Sequence, residues 1–129
     1  MIIDDLEITG ALQISLNNEI VHQCDNLVVT AGKNWVAGRF KDGSIPDEMS
    51  HMAIGSADTA AAAGNTALAT ELNRIALTTD GGTVSTNTVQ YDATWTSSHA
   101  AYVIKEAGIF NHASAGTMLA RTVFDVINK

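Results

Sequence analysis

The feature that most restricts how this chain can fold is alternation with a period of two residues. In GALQISLN, Leu12, Ile14 and Leu16 fall on one side and Gln13 and Ser15 on the other, the repeat of a strand whose successive side chains point to opposite faces. Asn17-Asn18 follows as a turn pair and NEIVHQCDNLVV returns, which predicts an early β-hairpin. The same rhythm fills the C-terminal half: IALTTDGG, TVSTNTVQYDATWTS, AYVIKEAGIFNH and AGTMLARTVFDVINK all read as strands. In the second of these Val89, Tyr91, Ala93 and Trp95 share a face, the pattern of a half-buried antiparallel strand. Asp80-Gly81-Gly82 and Ser114-Ala115-Gly116 are placed as hairpin connections, so the last three strands are expected to form a meander. MLARTVFDVI is apolar on both faces, which suits a central strand or one covered by a partner subunit.

Two stretches break the rhythm. In TAGKNWVAGRFKDG, Trp35, Val36, Arg39 and Phe40 fit helical spacing, predicting a short helix from about residue 31 to 41 with Thr30 as its N-cap. Gly32 and Gly38 weaken it, so packing of Trp35 and Phe40 has to hold it in place. ALATELNR, residues 67 to 74, is expected to form one or two helical turns capped by Thr66, with Leu68 and Leu72 on one side. Between these lie a brief strand, HMAIGS, and two loops, DGSIPDE with the single proline Pro46 and the small-residue run ADTAAAAGNTA. The expected fold is all-β: an antiparallel β-sandwich or open barrel with one or two short helices. At 129 residues it is read as a single domain, residues 1–129, with residues 1–9 as an N-terminal arm. Such a chain buries roughly two-thirds of its unfolded surface and supports a core without staples. Trp35, Trp95, Phe110 and Phe124 are its expected core anchors.

Charge narrows the classes of function. Charged residues make up 16% of the chain, against about a quarter in typical soluble domains, so part of the surface is expected to be covered by neighbours. The net charge of −7 and the absence of any cluster of lysine and arginine argue against nucleic acid as a partner. No apolar run reaches the ~18 residues of a membrane span, and MIIDDLEITG lacks the basic region of a signal peptide. No membrane partner is therefore expected, and synthesis in the cytoplasm is. Cys24 stands alone, which rules out an intrachain disulfide framework and reads as a small buried hydrophobe.

Chemistry is sparse. His22, His51, His99 and His112 show no metal-ligand spacing and have no cysteine partners. The loop acids Asp4-Asp5, Asp42 and Asp80 lack the dense spacing of a calcium loop, and turn chemistry accounts for each Asp-Gly. There is no nucleophile elbow, phosphate loop or dinucleotide fingerprint. No catalytic residue, cofactor or metal is expected.

One acid stands out. Tyr102, Ile104, Glu106, Gly108 and Phe110 share a face of AYVIKEAGIFN, placing Glu106 among apolar neighbours. A carboxylate there needs a partner, because an unpaired buried charge costs several kcal/mol. A structural ion pair between Glu106 and Arg74 is expected, with Arg121 on the adjacent strand as second choice. Glu71 and Arg74, three apart, could also pair locally.

The ordered segments HMAIGSADTAAAAGNTALATELNR and VIKEAGIFNHASAGTMLARTVF, opened by NLVVTAGKNWVAGRF, resemble a pattern of small virion proteins of tailed bacteriophages. That pattern runs "iGtG", small-residue loop, "TaLxxExxR", "ItEaGlFn", glycine turn and "mlaRtxF", and the likeness covers about residues 26 to 127. It is good at Thr66, Leu68, Glu71 and Arg74, at Glu106 to Asn111 and at Met118 to Phe124. It departs at Gly55-Ser56, where Gly-Thr-Gly is common, and at Lys105, where threonine is. The resemblance implies a structural role: a decoration or cement protein on the capsid surface, with the major capsid protein and copies of itself as partners, a trimer among the fitting arrangements, assembled in the host cytoplasm. The alternative is a tail, fibre or baseplate component docked on tail proteins. A small carbohydrate-binding sandwich would require Tyr91, Trp95 and Tyr102 to face solvent, and alternation favours core for Tyr91 and Trp95.

Overall fold

The computed structural model describes residues 7–40 and 43–129. Asp4, Asp5, Asp42 and most of the expected N-terminal arm lie outside the described residues. Over the described residues the fold is all-β with one short helix. Six strands form one antiparallel sheet in the order β1-β2-β8-β7-β3-β4, from β1 (Gly10–Leu16), β2 (Glu19–Val28), β3 (His51–Gly55), β4 (Glu71–Ala76), β7 (Val103–Phe110) and β8 (Met118–Asn128). A separate ribbon pairs β5 (Thr83–Ser85) with β6 (Thr88–Gln90), and α1 spans Thr30–Arg39.

The first hairpin turns where the sequence places it. Asn17 and Asn18 both adopt positive φ, 49° and 67°, the geometry of a two-residue hairpin turn whose twist matches its strands. β2 then pairs with β8 only through Leu27 and Val28. Over the rest of its length the β1–β2 hairpin lies across the sheet, with Leu12, Ile14 and Leu16 packed on Ala107, Phe124 and Ile127. This overlay makes the fold sandwich-like, and it explains the doubly apolar β8. That strand is central, with Phe124 under the hairpin and Met118 on the opposite face beside Phe110.

A second cluster on the hairpin's side of the sheet gathers Val28, Met49, Leu77, Leu119 and Ala120, with Trp35, Val36, Tyr91 and Ala93 packed against it. Trp35 is thus a half-buried anchor, and its indole donates to the Asp47 carbonyl at 2.7 Å. Phe40 does not help hold α1, being 78% exposed at the helix end. Thr30 is the first helical residue and Val29 occupies the cap position without a side-chain capping bond. The leading amides are satisfied by tertiary carbonyls instead, Val29 N–H by Leu119 and Thr30 N–H by Ala63.

Two expected elements differ. TVSTNTVQYDATWTS is not one strand: it forms the short β5–β6 ribbon and then runs on outside any ladder, held by a single bond from Thr78 N–H to the Asp92 carbonyl at 2.7 Å. Tyr91, Ala93 and Trp95 still alternate in burial with exposed Asp92 and Thr94, so the period reports packing against the sheet rather than membership of it. Asp80-Gly81-Gly82 therefore joins two different sheets, and only β7 and β8 form the expected hairpin, through the turn at Ser114–Gly116. The second difference is ALATELNR, in which residues 67–70 end the loop and Glu71–Arg74 open β4, paired with β3. Its Ala69 and Thr70 amides bond to a buried carboxylate, and the residues that follow are held in the ladder with β3.

Candidate functional site

That carboxylate is Glu106. The register of β7 sets it opposite Gly55 of β3 on one side and Val123 of β8 on the other. Arg121, two residues from Val123, is its diagonal neighbour on the same face. Neither side chain is accessible, Glu106 at 0% and Arg121 at 1%. The guanidinium grips one carboxylate oxygen through Nε at 3.0 Å and Nη2 at 2.8 Å. The ion pair thus forms with Arg121 and not with Arg74. Alternation identified the buried acid, but the choice of cation followed from strand register.

The pair does more than neutralise itself. Glu106 also accepts from three backbone amides of the loop between β3 and β4: Thr70 at 2.7 Å, Ala69 at 3.0 Å and Ala57 at 3.4 Å. Arg121 donates to the carbonyls of Thr59 at 2.9 Å and Ala60 at 3.3 Å and to Asn65 Oδ1 at 3.0 Å. All five guanidinium N–H donors are thereby used. Asn65 Oδ1 in turn accepts from Ala62 N–H at 2.8 Å. A loop of alanine, threonine and glycine, with almost no side chains of its own to pack, is fixed through its backbone to two charges on the sheet.

Leu68 closes this arrangement. Arg74, Ala53, Gly108 and Arg121 lie side by side across four strands. The two small central residues leave room for Leu68, whose Cδ2 would stand 3.0 Å from a Cβ at Gly108. Gly55 is required for a similar reason, since a Cβ there would collide with the Thr70 carbonyl and the Glu106 carboxylate.

At the other end of that row Arg74 makes a second clamp. It pairs with Glu71 through Nη2 at 2.6 Å and Nε at 3.2 Å, and its Nη1 donates to the carbonyls of His112 at 2.9 Å and Ala115 at 2.8 Å. The guanidinium lies 3.7 Å from the centre of the Phe110 ring, within cation–π range. Residues three apart on a regular strand face opposite ways. Here Leu72 is an extra residue in the β3–β4 ladder, where the register steps from Ile54↔Asn73 to Gly55↔Glu71, and that bulge brings Glu71 and Arg74 to the same side.

The other residues named from the sequence do not join this centre. Phe110 and Phe124 are buried on opposite faces, whereas Trp95 is half-buried and donates to Asn73 Oδ1 at 2.7 Å. Tyr91 and Tyr102 are also half-buried. His51 contacts Ser50, His99 accepts from the Thr96 amide, His112 faces Asp47 at 3.4 Å, and the His22 ring rests on Phe124. Among the described residues no group of three or more histidine, cysteine or acidic side chains is placed to hold a metal ion. Burial, with Asp25 adding to it, raises the Cys24 thiol above its ordinary value, so it stays protonated at neutral pH.

Sequence reading missed the role of Asn65 and of the Ala57, Ala69 and Thr70 amides. The only signal for them was the improbability of an ordered eleven-residue run of small side chains without a polar anchor. No protein-family model, curated protein or solved structure matches the chain.

Proposed function

We propose that this chain is a structural subunit of a tailed-bacteriophage virion, seated on the outside of the capsid as a decoration or cement protein that reinforces contacts between major capsid proteins. One observation carries the reading. The residues that resemble the virion pattern are spent on holding the fold: Leu68 over Gly108, Arg74 between Glu71 and Phe110, and Glu106 with Arg121 fixing the small-residue loop. Their work is positional, which suits a part valued for its shape and its contacts.

Surface character supports the same reading. Phe40, Ile45, Val84 and Val103 stay exposed on the isolated chain, apolar area that a surrounding array can bury. Many small contacts repeated by symmetry add to a large stabilisation even where each is weak. The net charge of −7 suits a position away from packaged DNA.

Copy number per particle tests the proposal most directly. Stained gels of purified virions should show hundreds of copies, and capsids lacking the protein should lose resistance to heat or osmotic shock. About a dozen copies, or intact capsids with defective adsorption, would move the protein to the tail.

A further inference from the structure

The two edges of the six-stranded sheet are not equivalent, and the difference indicates how this chain meets a second copy of itself. β4, at one edge, is guarded. It carries Glu71 and Arg74, its pairing with β3 is interrupted by the bulge at Leu72, and Trp95 of the following segment bonds to its Asn73. Charges, bulges and overlying segments are the usual means of keeping an edge from pairing. β1, at the other edge, has none of these. Its seven residues GALQISL include no charge and no proline, and the irregularity in its ladder with β2 places the extra residue, Val21, on β2. Among the described residues nothing pairs with its outer side.

The turn decides which backbone groups that side presents. A two-residue turn makes Leu16 and Glu19 a hydrogen-bonded pair, so alternate groups, those of Ala11, Gln13 and Ser15, point away from β2. The geometry points to antiparallel pairing of β1 with β1 of a second copy, centred on Gln13. In that register Ala11 meets Ser15 of the other copy and Gln13 meets Gln13, which uses all the outward groups in about six hydrogen bonds.

Side chains agree with the same register. Leu12 comes opposite Ile14 of the second copy and Gly10 opposite Leu16, so the apolar row over Ala107, Phe124 and Ile127 continues across the junction. Leu12, Ile14 and Leu16 are only half-buried in the single chain, and the junction covers their open side.

A second copy is favoured over an unrelated strand on two grounds. The strand is complementary to itself about Gln13, and its lack of charge means that two copies of a chain with net charge −7 can approach there without facing carboxylates. The guarded β4 edge makes the contact close as a two-fold pair, whereas two open edges would let sheets add without end. The inference stands on strand geometry and does not depend on the virion reading.

Light scattering from the full chain over a range of concentrations tests it, with a mass twice the 13.6 kDa of the chain expected at the upper end. Gln13→Pro removes an outward N–H, a change that edge strands tolerate, and should return the mass to that of one chain. Gln13→Lys, which sets two like charges face to face, should do the same, and circular dichroism shows whether each variant stays folded. Gln13→Cys should cross-link to itself on oxidation, because the Cα atoms of a hydrogen-bonded pair lie about 5.5 Å apart, within disulfide reach. Gln23→Cys, on the neighbouring inner strand, should not cross-link beyond the background set by Cys24. A single-chain mass at every concentration overturns the inference, as does a dimer indifferent to both Gln13→Pro and Gln13→Lys. A monomer that loses capsid binding on Gln13→Pro also overturns it, and assigns the edge to a strand of another protein.

Discussion

The loop between β3 and β4 and the β5–β6 ribbon invert the usual link between regular structure and order. The ribbon is regular: Val84 faces Val89 and Thr83 faces Gln90 in a proper antiparallel register. Yet all six of its residues are exposed, Val84 to 70%, and a two-stranded ribbon without a covered face has little stability of its own. The loop has no regular structure over residues 56–70, yet it is tied to Glu106 and Arg121 at five backbone groups and at the Asn65 side chain, and Leu68 is buried beneath it. What orders a segment here is where its polar groups end up. Backbone groups bonded to a desolvated ion pair cannot let go without leaving charges unpaired in a low-dielectric interior.

The contrast can be broken most sharply at Glu106. Replacing it with glutamine leaves Arg121 charged, buried and short of an anion, a loss expected to reach about 3–5 kcal/mol and measurable by urea unfolding. Exchange of the Ala57, Ala69 and Thr70 amides should accelerate together. A variant as stable as the parent would show that the ion pair does not hold the loop.

Gly55→Ala pushes the same loop away by sterics alone. The added methyl meets the Thr70 carbonyl, which is backbone, and the fixed Glu106 carboxylate, so the cost should be about 1–3 kcal/mol by thermal unfolding. A smaller loss, with unchanged amide exchange, would mean that the loop can move without releasing its bonds.

Arg74→Lys sharpens the comparison at the second clamp. Charge is retained, but the forked bonds to Glu71 and to two carbonyls, and the guanidinium contact with the Phe110 ring, are not. About 1–2 kcal/mol should be lost, with the 112–116 turn becoming more mobile by NMR relaxation while the 56–70 loop stays ordered. Loosening of both regions would show that the clamps act as one.

The smallest effect belongs to the ribbon. Val84→Ser combined with Val89→Ser should change stability by no more than about 0.5 kcal/mol, because neither side chain packs on a core cluster. A larger loss by calorimetry would mean that the ribbon is covered by contacts beyond the single chain, as the exposed valines allow.

The period-two pattern, with the turn residues, was sufficient from the sequence alone for the all-β class, the turn at Asn17-Asn18, the strands β1, β7 and β8, the hairpin turn at Ser114–Gly116 and a buried position for Glu106, and HMAIGS was legible as the brief strand β3. These depend on local properties: alternation, positive-φ turn residues and burial of apolar faces. Only the tertiary structure decided the rest. Arg121 and not Arg74 partners Glu106, because cross-strand register is a relation between distant segments that neither records by itself. ALATELNR forms no helix, since Glu71–Arg74 pair with β3 while the Ala69 and Thr70 amides bond to a carboxylate from β7, and weak local propensity yields to sheet pairing and to a buried charge that must be satisfied. The 91–95 stretch keeps a strand's rhythm of burial without a strand's ladder, because packing against a sheet and pairing within one leave the same mark on the sequence.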